Sequence, residues 1–104
     1  SADDILHIGK NSSGKIIFLE KGTSKAGFNH VLNHADDFVK NGIARDDIGS
    51  FVFDAARNGK IVGYQGKGTG RPIYEAIYKG QTKRVAVTVG DNGFIVGANP
   101  VSIK

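Results

Sequence analysis

The stretch KRVAVTVGDNGFIVGANP, residues 83–100, decides the fold class of this chain. Apolar and other residues alternate in its first half, so that Val85 and Val87 share one face of a strand while Thr88 lies on the other. The turn signal DNG follows, and a second apolar run, FIVGANP, comes directly after it. Two such runs joined by a short glycine-containing turn predict an antiparallel hairpin.

The same period of two extends back to Gly59. The runs KIVGYQ (60–65) and RPIYEAIY (71–78) indicate two further strands, and the connectors GKGTG and KGQT are too short for crossover helices. The pattern therefore predicts a meander of about four antiparallel strands in the C-terminal half of the chain.

Before Gly59 the apolar residues repeat with the period of a helix instead. We expect one amphipathic helix from near Phe28 to the stop signal Asn41-Gly42, and a second from near Asp46 to Asn58-Gly59. The apolar stripe of the first helix consists of Val31, Leu32, Ala35, Phe38 and Val39. The stripe of the second consists of Ile48, Phe51, Val52 and Ala55.

The predicted fold class is α+β, with two N-terminal helices packed on one face of a C-terminal antiparallel sheet of about four to five strands. The other face of the sheet is then free. Residues 1–14 show no sustained period and are expected to form a flexible N-terminal segment, whereas KIIFLE (15–20) favours a short buried strand. The length of 104 residues suits a single domain, 1–104.

Composition narrows the function classes. The chain has 14 Lys and Arg against 10 Asp and Glu, and the net charge of +4 suits a polyanionic partner. Cysteine is absent, which excludes disulfides and cysteine-ligated metals. No apolar run approaches the roughly 20 residues that span a bilayer, and no signal-peptide pattern is present. Because position 1 is not Met, we expect the chain to be a piece of a longer protein.

Two histidines four residues apart, His30 and His34, stand out on the first helix. In an ideal helix they lie about 40° apart and point into the same seam. One interpretation is that they are boundary residues without chemistry. A second is zinc binding, for which the spacing is suitable, although Val31 stands where a metalloprotease has its Glu. The third ligand would then come from Asp36, Asp37 or His7.

The third interpretation is proton transfer, because neutral and protonated imidazoles can serve as base and acid near neutral pH. Metal-free RNA cleavage needs a base, an acid and a cation that stabilises the phosphorane. The loop and strand YQGKGTGRPIYEAIY (64–78) supplies candidate phosphate contacts in Lys67, Thr69 and Arg71, interleaved with glycines. It lacks the spacing of a Walker loop, and a glycine-rich hairpin with solvated charges is the alternative.

Three further side chains on the predicted strands are candidates. Tyr74 and Tyr78 could stack a base or donate a hydrogen bond, and could equally pack across the sheet. Thr88, on the face away from the valines, could form part of a shallow polar floor for a nucleotide.

The order GFNHVLNHADDFVKNGI, GRPIYEAIYKGQ, VAVTVGDNGFIVGANP, from roughly residue 27 to residue 100, resembles the C-terminal toxin domains of bacterial contact-dependent growth inhibition and polymorphic toxin systems. Within these it is most similar to the small ribonucleases of the barnase/EndoU/colicin/RelE-like fold. The resemblance implies a monomeric toxin domain from the end of a secreted or cell-surface effector. It also implies cleavage of tRNA in the cytoplasm of a target bacterium, a cognate immunity protein and, in some members, elongation factor Tu as a partner.

In that family a helix presents His, and the sheet presents Arg, Lys, Thr or Tyr. The resemblance therefore makes His30 and His34 the proton-transfer candidates and Arg71 the phosphate-stabilising cation. Thr88 and Tyr74 become positioning groups in the catalytic set, and the substrate-binding candidates are Lys67, Thr69 and Tyr78.

The leading hypothesis is thus a metal-independent endoribonuclease toxin without a cofactor. Its first alternative is a non-catalytic RNA- or protein-binding module, and its second is a zinc-dependent nuclease. A binding module has no need for paired proton carriers, whereas cleavage that EDTA abolishes would indicate zinc.

Overall fold

Four antiparallel strands form the main sheet in a computed structural model that describes residues 2–103. They are β3 (Lys60–Tyr64), β4 (Pro72–Tyr78), β5 (Gln81–Val89) and β6 (Ile95–Val101), and each pairs with its neighbour in the chain. The predicted C-terminal meander is confirmed. Ser1 and Lys104, which belong to the predicted domain 1–104, lie outside the described residues.

The strand register gives the sheet two unlike faces. Val85 and Val87 are fully buried on one face, beneath helix α3 (Ile48–Asn58). Arg84 and Glu75 pair across the other face and keep about a third of their side-chain surface exposed. Alternation along β5 therefore separates a packed face from one that carries Arg84 and Thr88, with the buried Ala86 between them. Among the described residues, no helix is long and apolar enough to cross a membrane.

The first predicted helix is broken in the middle. Helix α1 (Phe28–Val31) runs into a 3-10 turn (Leu32–His34), and α2 (Ala35–Lys40) follows. Val31, Ala35 and Phe38 are buried in the core, as the stripe predicts, but Val39 is half exposed. A 3-10 turn advances about 120° per residue instead of about 100°, so side chains after it are rotated from where an ideal helix would place them.

A two-stranded sheet precedes the helices, which corrects the expected order of helices first and sheet second. Strand β1 (Ile5–Lys10) pairs with β2 (Ile16–Glu20), so the predicted flexible segment 1–14 contains a strand. Leu6 and Ile8 are exposed on β1 while its other face is only half buried, and large apolar residues on both faces hide the period of two. The predicted strand at 15–20 corresponds to β2.

Candidate functional site

Three of the predicted site residues surround a single glycine on β6, Gly97. A Cβ atom built on Gly97 would lie 2.6 Å from Arg71 Nη2 and 2.7 Å from His30 Cδ2. Thr88 is paired directly with Gly97, so its side chain leaves the sheet on the same face. Only a residue without a side chain allows the imidazole and the guanidinium to approach each other over this strand. We call His30, Arg71, Thr88 and Gly97 the His30–Arg71 cluster.

The ring of His30 is held in one tautomer by the preceding loop. Its Nδ1 lies 2.8 Å from the carbonyl oxygen of Ser24. Because a carbonyl oxygen only accepts hydrogen bonds, this short contact is made by the tautomer with the proton on Nδ1. The Asn33 side-chain nitrogen lies farther from Nδ1, at 3.3 Å, and donates to the Ser24 oxygen instead. The Nε2 atom of the neutral ring then has a free lone pair. Nε2 lies 3.0 Å from the position of a Cβ on Gly97, on the same side as Arg71.

The loop that supplies this carbonyl is tightly folded. The side-chain amide of Asn33 also donates to the Ser24 oxygen, at 3.2 Å. Gly22 has φ +63°, and a Cβ there would lie 2.0 Å from the Ala26 carbonyl oxygen, so the turn requires glycine. The amide of Gly27 donates to the Val96 carbonyl of β6 at 2.9 Å, which anchors the start of α1 beside the strand. His30 is therefore positioned from both the loop and the sheet.

Arg71 brings to the cluster a charge that no carboxylate of the described chain neutralises. Its Nη1 donates to the Asn99 side-chain oxygen at 3.1 Å, and within residues 2–103 no Asp or Glu lies within ion-pair distance of it. Partial burial lowers the pKa of the guanidinium, and like other arginines in proteins it stays protonated at neutral pH. Sequence reasoning missed Asn99. Its place two residues after Gly97, on the same strand face, is the signal that would have found it.

His34 has a different neighbour from His30. Its Nδ1 lies 3.5 Å from the carboxylate of Asp37, and both side chains are largely exposed. The expectation that the two rings point in one direction is not met by these contacts, because the 3-10 turn Leu32–His34 lies between them. The contacts over Gly97 involve His30, not His34.

Tyr74 and Tyr78 lie on the packed face of the sheet, away from the His30–Arg71 cluster. Tyr74 is paired with Val85 and packs against the core, and its burial raises the pKa of the phenol. The Tyr78 hydroxyl donates to the Asp47 carboxylate at 2.5 Å and accepts from the Ala44 amide at 3.1 Å. The structure therefore does not bring Tyr74, the predicted positioning group, or Tyr78, the predicted substrate-binding residue, to the cluster. The alternation in RPIYEAIY defined two faces without showing which one was inward.

Lys67 and Thr69 lie in the loop between β3 and β4. Both are exposed, and their side chains make no hydrogen bond or ion pair to the described part of the chain. The loop is closed by backbone hydrogen bonds, from Gln65 to the Arg71 carbonyl and from Gly70 to the Gln65 carbonyl. It therefore leads directly into Arg71 while its two candidate side chains remain free to meet a ligand.

No protein-family model matches this chain, and no curated protein matches it either. Among residues 2–103, no group of three or more His, Asp or Glu side chains is arranged to hold a metal ion. What the fold and site define is a small α+β domain that presents a histidine, an arginine and a threonine on the polar face of its sheet.

Proposed function

We propose that the protein is a metal-independent endoribonuclease in which the His30–Arg71 cluster contacts the scissile phosphate. The observation that carries the proposal is the free Nε2 of His30 beside a guanidinium that pairs with no carboxylate among the described residues. A base with a fixed tautomer next to an unpaired cation suits a reaction in which a hydroxyl loses a proton while negative charge grows on phosphorus.

In the proposed step, Nε2 of His30 takes the proton from the ribose 2′-hydroxyl, and the 2′-oxygen attacks phosphorus. The bond from phosphorus to the 5′-oxygen breaks, and this oxygen takes a proton from an acid. The products are a 2′,3′-cyclic phosphate and a free 5′-hydroxyl. Arg71 balances the charge of the phosphorane, and the hydroxyl of Thr88 donates to one of its non-bridging oxygens.

His34 is the proposed acid, although its observed contact is with Asp37. A comparison of two substrates separates its role from that of His30. On RNA, His30→Ala and His34→Ala should both lose cleavage. On uridine 3′-(4-nitrophenyl phosphate), whose leaving group needs no protonation, His34→Ala should regain activity and His30→Ala should not. If His34→Ala cleaves RNA at the wild-type rate, the acid is another group or a water molecule.

The test of the activity itself uses purified protein and total tRNA, with and without EDTA. We expect fragments that end in a 2′,3′-cyclic phosphate, in the same amount with and without EDTA. The His30→Ala variant should give no fragments. Cleavage that EDTA abolishes would support a zinc-dependent nuclease. Tight RNA binding without cleavage, equal in His30→Ala, would support the binding module.

The biological setting is proposed from the resemblance and the basic charge. In this setting the domain is the toxic part of a secreted or cell-surface effector and cuts tRNA in the cytoplasm of a target bacterium. A cognate immunity protein neutralises it, and elongation factor Tu is a further candidate partner. Induced expression in a bacterium should stop growth, and His30→Ala or Arg71→Ala should relieve the arrest. Unchanged growth with the wild-type chain would contradict the toxin role.

A further inference from the structure

The guanidinium of Arg71 is held over Gly97 by one side chain, that of Asn99. Nη1 of Arg71 donates to Oδ1 of Asn99 at 3.1 Å, and both side chains are partly buried. Because a guanidinium has only donors, the oxygen of the amide group faces Arg71 and the nitrogen is turned away from it. Within residues 2–103, no other hydrogen bond and no ion pair holds the Arg71 side chain. Asn99 therefore fixes the direction of Arg71 and leaves its charge uncompensated.

The amide nitrogen of Asn99 is a free donor on the face of the sheet that carries the His30–Arg71 cluster. Nδ2 makes no hydrogen bond to the described part of the chain, and no buried side-chain nitrogen or oxygen in that part lacks a partner, so Nδ2 is open to solvent. Asn99 lies two residues beyond Gly97 on β6, so both residues point to the same face. The distance between them along the strand is about 7 Å, at roughly 3.3 Å per residue. The donor thus faces the part of a substrate that is next to the scissile phosphate.

Asn99 ends an uncharged row of residues that crosses three strands of the sheet. The row follows the strand register from Ile73 through Ala86 to Asn99, and it spans about 10 Å at roughly 4.8 Å between neighbouring strands. Ala86 is fully buried in the middle, whereas Ile73 and Asn99 are only partly covered. The ion pair between Arg84 and Glu75 occupies the next row, so the uncharged row lies between this pair and the cluster. A phosphate finds no cation in the uncharged row, but an apolar side chain and an amide donor suit the flat face and the polar edge of a nucleobase.

We propose that Asn99 and Ile73 form a binding site for the nucleobase next to the bond that is cut. Nδ2 of Asn99 donates to an acceptor on the edge of the base, and Ile73 contacts its face. Oδ1 of Asn99 at the same time keeps Arg71 aimed at the phosphate. The proposal rests on RNA being the substrate of the His30–Arg71 cluster. Asn99 is thus a binding residue for the base and a positioning residue for Arg71.

The positioning role is tested by two substitutions at one position. Asn99→Asp keeps the shape of the side chain but sets a carboxylate against Arg71, which neutralises the guanidinium and competes with the phosphate. Asn99→Ala removes both contacts and adds no charge. We expect kcat/KM for RNA cleavage to fall about tenfold in Asn99→Ala and about a hundredfold in Asn99→Asp, while the urea midpoint of Asn99→Asp does not fall. A side chain that only packs would give the opposite order of activities, and that order would overturn the proposal.

Asn11→Asp is the charge-matched control. Oδ1 of Asn11 accepts from the amides of Ser13 and Lys15, at 3.0 and 2.9 Å, in the turn between β1 and β2. A carboxylate oxygen keeps both hydrogen bonds, so this variant differs from the wild type by one negative charge outside the cluster. Its cleavage should equal that of the wild type. An equal loss in Asn11→Asp and Asn99→Asp would reflect net charge alone and would overturn the positioning role.

The base site is tested by binding without cleavage. Dinucleotides whose first ribose lacks the 2′-hydroxyl cannot be cut by the proposed reaction, so every base combination can be titrated into the wild type and followed by the NMR shifts of backbone amides. We expect affinities that differ about fivefold with the base at one of the two positions, shifts at Ile73 and Asn99, and equal affinities for all bases in Asn99→Ala. Equal affinities in the wild type would overturn the base site even if RNA is cleaved. Base-dependent binding that Asn99→Ala abolishes, in a protein that cleaves no RNA, would support the base site and refute the ribonuclease assignment.

Discussion

The substitution Gly97→Ala tests the His30–Arg71 cluster most directly. Its new methyl group would start 2.6 Å from Arg71 Nη2 and 2.7 Å from His30 Cδ2, both shorter than carbon and nitrogen atoms tolerate. Arg71 has a flexible side chain and can swing away. His30 is tied to the Ser24 carbonyl and can move only by losing that hydrogen bond. The expected result is a displacement of about 1 Å at the reacting groups.

A misplacement of that size costs about a hundredfold in rate when a catalytic group must meet a reacting atom. We therefore expect kcat/KM for RNA cleavage to fall about a hundredfold in Gly97→Ala. Stability should change by no more than about 1 kcal/mol, because alanine restricts the unfolded backbone more than glycine does, while His30 is exposed and Arg71 only partly buried. The measurements are cleavage of a labelled oligonucleotide and urea denaturation followed by circular dichroism.

Gly63→Ala is the matched control. Gly63 also lies in a strand, β3, and a Cβ there would have only the Ile73 Cδ1 atom nearby, at an ordinary 3.9 Å. Its activity should equal that of the wild type. If Gly97→Ala cleaved RNA normally, or if Gly63→Ala lost as much activity as Gly97→Ala, the assignment of the cluster as the reacting site would be refuted.

Three further outcomes are expected. Arg71→Lys should lower kcat about tenfold to a hundredfold without changing the urea midpoint, because lysine keeps the charge but lacks the planar set of donors. An unchanged kcat would count against Arg71 as the phosphate contact. Phe38→Ala should cost about 3–5 kcal/mol of stability, seen in the same denaturation assay, since this side chain is fully buried. The hydrogen bond from Tyr78 lowers the pKa of Asp47, and the charge of Lys79 lowers it further. The contacts of the ionised Asp47 therefore stabilise the fold above about pH 4, and this stabilisation is lost as the pH falls through the lowered pKa. Tyr78→Phe should reduce that acid-dependent loss and lower Tm by a few degrees at neutral pH, while cleavage stays normal; a steeper acid loss in the variant would be the contrary result.

The main sheet and helix α3 were predictable because their residues obey one period each. Val85 and Val87 lie two residues apart and are flanked by Arg84 and Thr88, and the stripe from Ile48 to Ala55 recurs at helical spacing. Strand β1 was not predictable, since Leu6 and Ile8 put large apolar groups on its exposed face. The break in the first helix also left no clear mark, because a 3-10 turn and an α-helical turn have similar local sequences.

Of the candidate site, the residue types were predictable and their grouping was not. His30, Arg71 and Thr88 come from a helix, a loop end and a strand, and only the tertiary fold brings them over Gly97. The partners that fix them, Ser24 through its carbonyl and Asn99 through its amide oxygen, carry no chemical signature in the sequence. The positions of Tyr74 and Tyr78 depended on which strand face turned inward, which period two alone leaves undecided.

The two faces of strand β5 differ in how freely their residues can be substituted. Val85 and Val87 must fit the packed interior. Their neighbours Arg84 and Thr88 lie on the outer face of the sheet, where the interior does not constrain them. Apart from Ala86, which is also buried, the alternate positions of this strand are therefore under different constraints on substitution. Single substitutions at Arg84 or Thr88 can therefore change the chemistry of the outer face while the interior beneath keeps its packing.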